Sequence, residues 1–233
     1  MREADPWRCA LPYRDAIGLV GDLVDAFYAL ERESSHTYHF GLHETKLTKR
    51  LANRLENMRA RACHAGMWQF EQGTNTFIED DPRRLDITYC TVVDNTVTIL
   101  LVFECKKIRA GARGISEYDR KQYIQDGMRR FVIGSYAPRE AIGFMVSMSD
   151  QPHEAVVTSL KRSLSSAGSD AWLGLTKTAD GKLWMEPSRR FAPHAAFSTV
   201  HQRIVSSSNY SPEIVLYHVP LQFRRHARLR PTE

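Results

Sequence analysis

Four charged residues stand where the flanking pattern calls for apolar ones, and together they fit one kind of chemistry. Glu44 lies three residues before Leu47 and seven before Leu51, so it continues the apolar stripe of a helix read from about His43 to Ala62. Asp86 sits within Leu85-Asp86-Ile87-Thr88, a strand-like run in which Asp is depleted. Glu104 and Lys106 share a face with Leu100 and Val102 through the two-residue period of a strand. Charges that close an apolar strand face are costly unless they have partners.

A hairpin would bring two of these residues together. Arg84 to Val92 and Val97 to Lys106 are rich in β-branched and aromatic residues, and Asp94-Asn95-Thr96 between them is turn-like. With a three-residue loop, Val93 pairs with Val97 and Asp86 falls opposite Glu104, their Cβ atoms about 5 Å apart. A two-residue loop would put Asp86 beside Phe103, on the other face. The three-residue loop is the reading adopted, because Asn95 or Thr96 can be accommodated in it. Facing carboxylates repel, and a divalent cation between them removes the repulsion. Mg²⁺, with Mn²⁺ as a substitute, takes a few carboxylates and keeps waters for a substrate phosphate. Lys106 adds a fixed positive charge that holds an attacking water and neutralises a pentavalent phosphorus. The chemistry such a set would perform is metal-assisted phosphodiester hydrolysis.

Each residue also has a plain alternative. Glu44 can be an exposed first-turn acid favoured by the helix dipole, and Asp86 a strand-start residue. Glu104 and Lys106 can form a solvated strand end, with Glu104 paired to Arg83 or Arg84. His36, His39 and His43 beside Glu44 offer a transition-metal alternative, without an evident fourth ligand. Within Phe197 to Arg203, Ser198, His201 or Arg203 could touch phosphate, or the segment could simply pack through Val200 and Ile204.

The elements that must position these groups follow from periodicity. Ile17, Val20, Leu23, Val24, Phe27 and Leu30 mark a helix from about Asp15 to Arg32, and Leu47, Leu51, Leu55 and Met58 form the stripe of the next. Ser116-Glu117-Tyr118-Asp119 has capping-box spacing and opens a helix to about Gly134. Its residues Tyr118, Gln122, Gln125 and Arg129 fall on one face, and Ile124, Met128 and Phe131 on another. A strand from Ala141 to Met148, a helix from about His153 to Ser165 and a strand from Glu213 to Phe223 complete the reading. The expected fold class is α/β, a central mixed sheet flanked by helices. One domain spans residues 1–233, its core about 41–223, followed by a basic tail at 224–233.

Asp86 followed, after seventeen intervening residues, by Glu104-Cys105-Lys106 resembles the D…(D/E)-x-K core of the PD-(D/E)XK, or restriction-endonuclease-like, nucleases. Glu44-Thr45-Lys46-Leu47-Thr48 is similar to the helix that supplies a further metal-site acid in that superfamily. The run from Gln122 to Tyr136 is similar to its basic, Gln/Tyr-containing helix. Tyr123, Gly127, Arg130, Phe131, Gly134 and Tyr136 resemble small bacterial members associated with genome defence. Leu85 stands where many members carry proline. The resemblance spans about Gly41 to Met148. It implies a Mg²⁺-dependent nuclease of restriction-endonuclease-like fold, acting on DNA rather than RNA. Asp86 and Glu104 would bind metal, the Cys105 carbonyl would add a ligand, Glu44 would reach the metal through water, and Lys106 would position the nucleophile. Lys107, Lys121, Gln122, Gln125 and Arg129 would line the nucleic acid.

Charge and composition agree with a polyanion partner. The 233 residues carry 32 Lys and Arg against 27 Asp and Glu, a net +5. Nine basic and three acidic residues lie between Cys105 and Arg139, the footprint of phosphate contacts or of a solvated helix face. The longest apolar run, Ile99 to Phe103, is far short of the ~18 residues a membrane helix needs. No export signal opens the chain, and Cys9, Cys63, Cys90 and Cys105 lack zinc-like spacing, so reduced thiols and a cytoplasmic setting are expected. Neither a P-loop nor a helix-turn-helix is evident. Sequence choice or ATP-driven control would therefore come from a homodimer or a partner protein in a defence or genome-maintenance system, or be absent. The alternative is a nucleic-acid-binding module of the same fold without turnover.

Overall fold

The computed structural model describes residues 13–62, 66–73, 84–93, 96–111, 114–165, 169–187, 191, 193–204 and 211–224. Cys9, Cys63, Arg83, Asp94, Asn95 and the basic tail from residue 225 onward, which entered the sequence reading, lie outside the described residues.

The two expected N-terminal helices form as α1 (Tyr13–Glu33) and α2 (Glu44–Ala62). Val20, Leu23 and Phe27 of α1 and Leu47, Leu51 and Leu55 of α2 are completely buried, as a one-sided stripe requires. Both stripes rest on one face of a six-stranded mixed sheet of order β1-β2-β3-β6-β8-β7. β1 (Met67–Gly73), β2 (Arg84–Val93) and β3 (Thr96–Ile108) make an antiparallel meander. β6 (Ile142–Ser149) runs parallel to β3, β8 (Glu213–Gln222) runs parallel to β6, and β7 (Phe197–Gln202) closes the edge antiparallel to β8. Between β3 and the next helix lies a small pair, β4 (Ala110–Gly111) with β5 (Gly114–Ile115). This is the expected α/β architecture with a mixed sheet between helices. β1, β7 and the β4–β5 pair are additions to the sequence reading.

The opposite face is covered by a helix in three parts: α3 (Glu117–Lys121), a π-helical stretch (Gln122–Met128) and α4 (Arg129–Val132). Beside it lie α5 (His153–Leu164) and the short α6 (Ser169–Leu173). Ile124, Met128 and Phe131 are buried on this side, as their spacing predicts. Strand alternation sorts β3: Leu101, Phe103 and Cys105 join the core under α1 and α2, whereas Val102 and Ile108 join the other. Glu104 and Lys106 lie between Val102 and Ile108 in that alternation, among the second layer of helices.

The hairpin corrects the expected loop. Val93 pairs with Thr96 and Val92 with Val97, so two residues separate the strands rather than three. Thr96, a β-branched residue, extends the strand instead of the turn. Taken alone, that register would have set Asp86 beside Phe103. A bulge intervenes: Cys90 pairs with Ile99, but Tyr89 pairs with Leu101, which leaves Leu100 as the extra residue on β3. Beyond it Ile87 faces Phe103, so Asp86 comes next to Glu104 by a route the sequence does not announce.

The capping motif is half realised. Ser116 Oγ accepts from the Asp119 amide at 3.1 Å, an N-cap bond. Asp119 does not return the bond. Its carboxylate accepts from the Arg109 amide at 2.8 Å and from the Arg109 guanidinium at 2.7 and 3.0 Å.

Candidate functional site

Three elements deliver the four charged side chains to one place. Glu44 opens α2, where a carboxylate is favoured by the helix dipole. Asp86 stands on β2 one step beyond the Ile87–Phe103 pair, and its Oδ2 accepts from the Cys105 amide at 2.8 Å. Glu104 and Lys106 follow on β3.

Lys106 is the hub. Its Nζ lies 2.9 Å from Glu104 Oε1 and 3.6 Å from Glu44 Oε1. Glu44 Oε2 accepts from the Lys107 amide at 2.6 Å, so both Glu44 oxygens are engaged by the end of β3. Glu104 is completely buried, and its Oε2 has no hydrogen-bond partner. Leaving a buried carboxylate oxygen unmatched is expensive.

The electrostatics follow from that crowding. Burial pushes Asp86 well above the usual carboxylate range and Glu104 pushes it further, against Lys106 and the Cys105 amide. Burial also raises Glu104, opposed by Lys106 and by Arg130. For Lys106, burial pulls the other way, but Glu104, Glu44 and Asp86 together hold the ammonium above the ordinary lysine value. The result is a permanently charged lysine beside two carboxyl groups that resist ionising together.

This donor set fits a divalent cation at its carboxylate side. Asp86 and Glu104 are neighbours and both are hard oxygen donors, the type Mg²⁺ prefers. The free Glu104 Oε2 supplies a lone pair that nothing among the described residues uses. Among the described residues no group of three or more His, Cys, Asp or Glu side chains that could hold a metal ion is found. At the histidines of the transition-metal alternative, two ring nitrogens are engaged locally. His39 Nδ1 and His43 Nδ1 accept from the amides of Gly41 and Thr45, at 3.2 and 3.4 Å.

The residues expected to line nucleic acid are placed unequally. Lys121, Gln125 and Arg129 are exposed and Gln122 is half-buried. Lys121 lies 3.6 Å from Glu117, and Arg129 rests over the Trp172 ring. Lys107 turns to the other face, where its ammonium donates to Leu42 O at 2.8 Å and sits over the Phe40 ring. It ties β3 to the α1–α2 connection. Ser198, His201 and Arg203 are buried, and Arg203 donates to the carbonyls of Phe131, Ala137 and Glu140, so they serve internal contacts, whereas Ile204, expected to pack, is exposed.

Two arrangements went unread in the sequence, the first being the contacts of Arg130, a residue named there only through the family resemblance. Arg130 NH1 lies 3.4 Å from Glu104 Oε1 and donates to Tyr136 Oη at 2.6 Å. Its signal was present in a basic residue one turn after Asp126, but π-helical phasing cannot be inferred from α periodicity. The second is a buried chain of polar groups: Tyr123 Oη to His218 Nδ1 at 2.8 Å, His218 Nε2 to Thr199 Oγ1 at 3.0 Å, Thr199 Oγ1 to His201 Nε2 at 2.7 Å, and His201 Nδ1 to Leu173 O at 2.8 Å. No described helix is long and apolar enough to cross a membrane. No family model, no curated protein and no solved structure matches the chain.

Proposed function

We propose that the protein is a Mg²⁺-dependent nuclease that hydrolyses phosphodiester bonds, in DNA rather than RNA, in a bacterial defence or genome-maintenance system. The observation that carries this reading is the carboxyl pair of half-buried Asp86 and fully buried Glu104, set together beside Lys106 with Glu104 Oε2 unmatched. A structural ion pair would satisfy both Glu104 oxygens. A site meant for a cation and a substrate leaves one open. The antiparallel meander, the parallel fourth strand and the helices on both faces also agree with the restriction-endonuclease-like resemblance of the motif.

Asp86 and Glu104 would hold the cation, with the Cys105 carbonyl as a further oxygen. When bound, the cation supplies Lewis-acid polarisation of the phosphate and lowers the pKa of water. Lys106, fixed by Glu104 and Glu44, orients a water toward phosphorus and offsets charge that develops on the phosphoryl oxygens. Glu44 holds Lys106 and the amide of Lys107 in place, so it acts as a positioning residue. The exposed Lys121, Gln125 and Arg129 follow the backbone of the nucleic acid, and a second copy or a partner protein supplies sequence choice.

Incubation with plasmid, single-stranded DNA and RNA in Mg²⁺ or Mn²⁺ tests the reading. Cleavage that stops in EDTA and in Glu104→Gln is expected. Cleavage persisting in EDTA would overturn the mechanism, and tight binding without cleavage would leave a binding module.

A further inference from the structure

Arg130 is half-buried against a fully buried carboxylate, and only one of its three nitrogens is engaged. NH1 makes both contacts, with Glu104 and with Tyr136, and among the described residues Nε and NH2 have no partner. A guanidinium has five N–H donors in a rigid fork, and one edge of this fork is left over. An arginine whose task was to neutralise Glu104 would turn that edge to the carboxylate, in the bidentate geometry such pairs favour. Here the contact is a single long one, and the short bond goes to a neutral hydroxyl.

The backbone around it is built to hold this arrangement. The π-helical stretch before Arg130 resets the phase of the helix, a device frequent at functional sites. Gly127 within it faces β6, where an added Cβ would meet the flexible end of the Met145 side chain, its Cε at 2.6 Å. After α4, Gly134 at φ 72° turns the chain back, and the Tyr136 amide donates to Arg130 O at 3.0 Å. Ala137 is held at φ 46°, a region few residues with a side chain adopt. The turn thus brings the Tyr136 hydroxyl over the side chain whose carbonyl its own amide caps.

We infer that Arg130 binds the substrate phosphate, presenting its Nε–NH2 edge to the phosphoryl oxygens while Tyr136 and Glu104 anchor NH1. The inference rests on the nuclease reading and deepens it by adding a substrate-binding residue to the site. Tyr136 is its positioning residue.

The test compares Arg130→Lys, Arg130→Gln and Tyr136→Phe in the full chain with the wild type. Arg130→Lys keeps a cation opposite Glu104 and should fold, yet kcat should fall on the order of 10²-fold, as when one preorganised donor to developing charge is lost. Arg130→Gln should lower the slope of log affinity against log salt by about 0.9 on duplex DNA, one phosphate contact, measured without metal so that no turnover is needed. Tyr136→Phe should keep that slope while kcat drops roughly fivefold, the size of one neutral hydrogen bond. Wild-type kcat in Arg130→Lys, or an unchanged slope in Arg130→Gln, would overturn the assignment while leaving the nuclease reading standing. A wild type that neither binds nor cleaves nucleic acid would remove that reading, and this one with it.

Discussion

Two buried polar clusters occupy the same face of one sheet and solve the problem of burial in opposite ways. In the chain from Tyr123 to Leu173 O every role is determined. The Leu173 carbonyl can only accept, so His201 Nδ1 carries the proton and Nε2 accepts from Thr199. The Thr199 oxygen then accepts from His218 Nε2, and His218 Nδ1 accepts from the Tyr123 hydroxyl. Burial holds both imidazoles neutral, His201 down to about 4 and His218 well below its ordinary value. In the Asp86–Glu104–Lys106 cluster the opposite holds: one oxygen is orphaned, two acids repel, and a lysine is shared among them. A closed network stabilises a fold, and an open one is completed by a ligand.

The largest expected effect lies at the open cluster. Lys106→Met removes the charge that Glu44 and Glu104 hold, and Glu104→Gln removes the one fully buried acid. Each should lower cleavage on the order of 10³-fold or more, and combining them should cost little beyond the worse single change, because they act as a unit. Melting temperatures should separate the two. Glu104→Gln should be neutral or stabilising, whereas Lys106→Met leaves Glu104 buried with only the long Arg130 contact and should melt earlier. Additive losses in cleavage would break the idea of a single unit.

The closed cluster should respond in stability instead. Thr199→Val is nearly isosteric, but it strips the acceptor from His218 Nε2–H and the donor from His201 Nε2. Two unmatched buried groups cost about 3 kcal/mol, or roughly 9 °C for a chain of this length. Thermal melts at neutral pH check this, and a shift under ~2 °C would show that water or a rotamer change completes the network.

The contrast between the clusters also marks what was legible in the sequence. The stripes of α1 and α2, the β2–β3 hairpin and the strand that becomes β6 follow from spacing and composition alone, whereas the parallel pairing of β6 with β3 does not. Asp86, Glu104 and Lys106 stood out because acids and lysines are rare on such strands. Their meeting was foreseen through a loop of the wrong length, and the bulge at Leu100 supplied the missing residue. A bulge leaves little trace in a run as uniformly apolar as Ile99 to Phe103. The chain through His218 and His201 was equally hidden, because it joins β7, β8 and the central helix across separations no local pattern encodes. Arg130 was masked by helical phase: α spacing groups Gln122, Gln125 and Arg129 on the outer face, and only the π-helical turn brings its neighbour to Glu104.

Acid should act on the two clusters in opposite directions. For His201 the folded value lies below the unfolded one, so the unfolded chain binds the extra proton and stability is lost as pH falls from about 6.5 to about 4. That group alone accounts for about 3 kcal/mol. Asp86 and Glu104 are raised, so the folded chain binds protons more tightly, and their contribution grows as pH falls through the raised values. Urea titrations from pH 7 to 4 should show the histidine loss blunted by the carboxyl gain. The loss should steepen in Asp86→Asn and shrink in His201→Gln. Parallel curves for all three proteins would mean that neither cluster governs the acid response.

The smallest effect should separate cation binding from catalysis. Asp86→Asn removes the charge that burial and Glu104 both disfavour, yet its amide oxygen can still accept from the Cys105 amide. Without divalent cations the variant should therefore be more stable than the wild type, by about 1–2 kcal/mol. Adding Mg²⁺ should stabilise the wild type by mass action, since only the folded chain brings the two acids together. The same addition should leave the variant unmoved, and the two denaturation midpoints should approach each other as Mg²⁺ rises. A variant that stays ahead by the same margin at every Mg²⁺ concentration would mean that the strain at Asp86 is not relieved by a cation, and the carboxyl pair would then need a different partner.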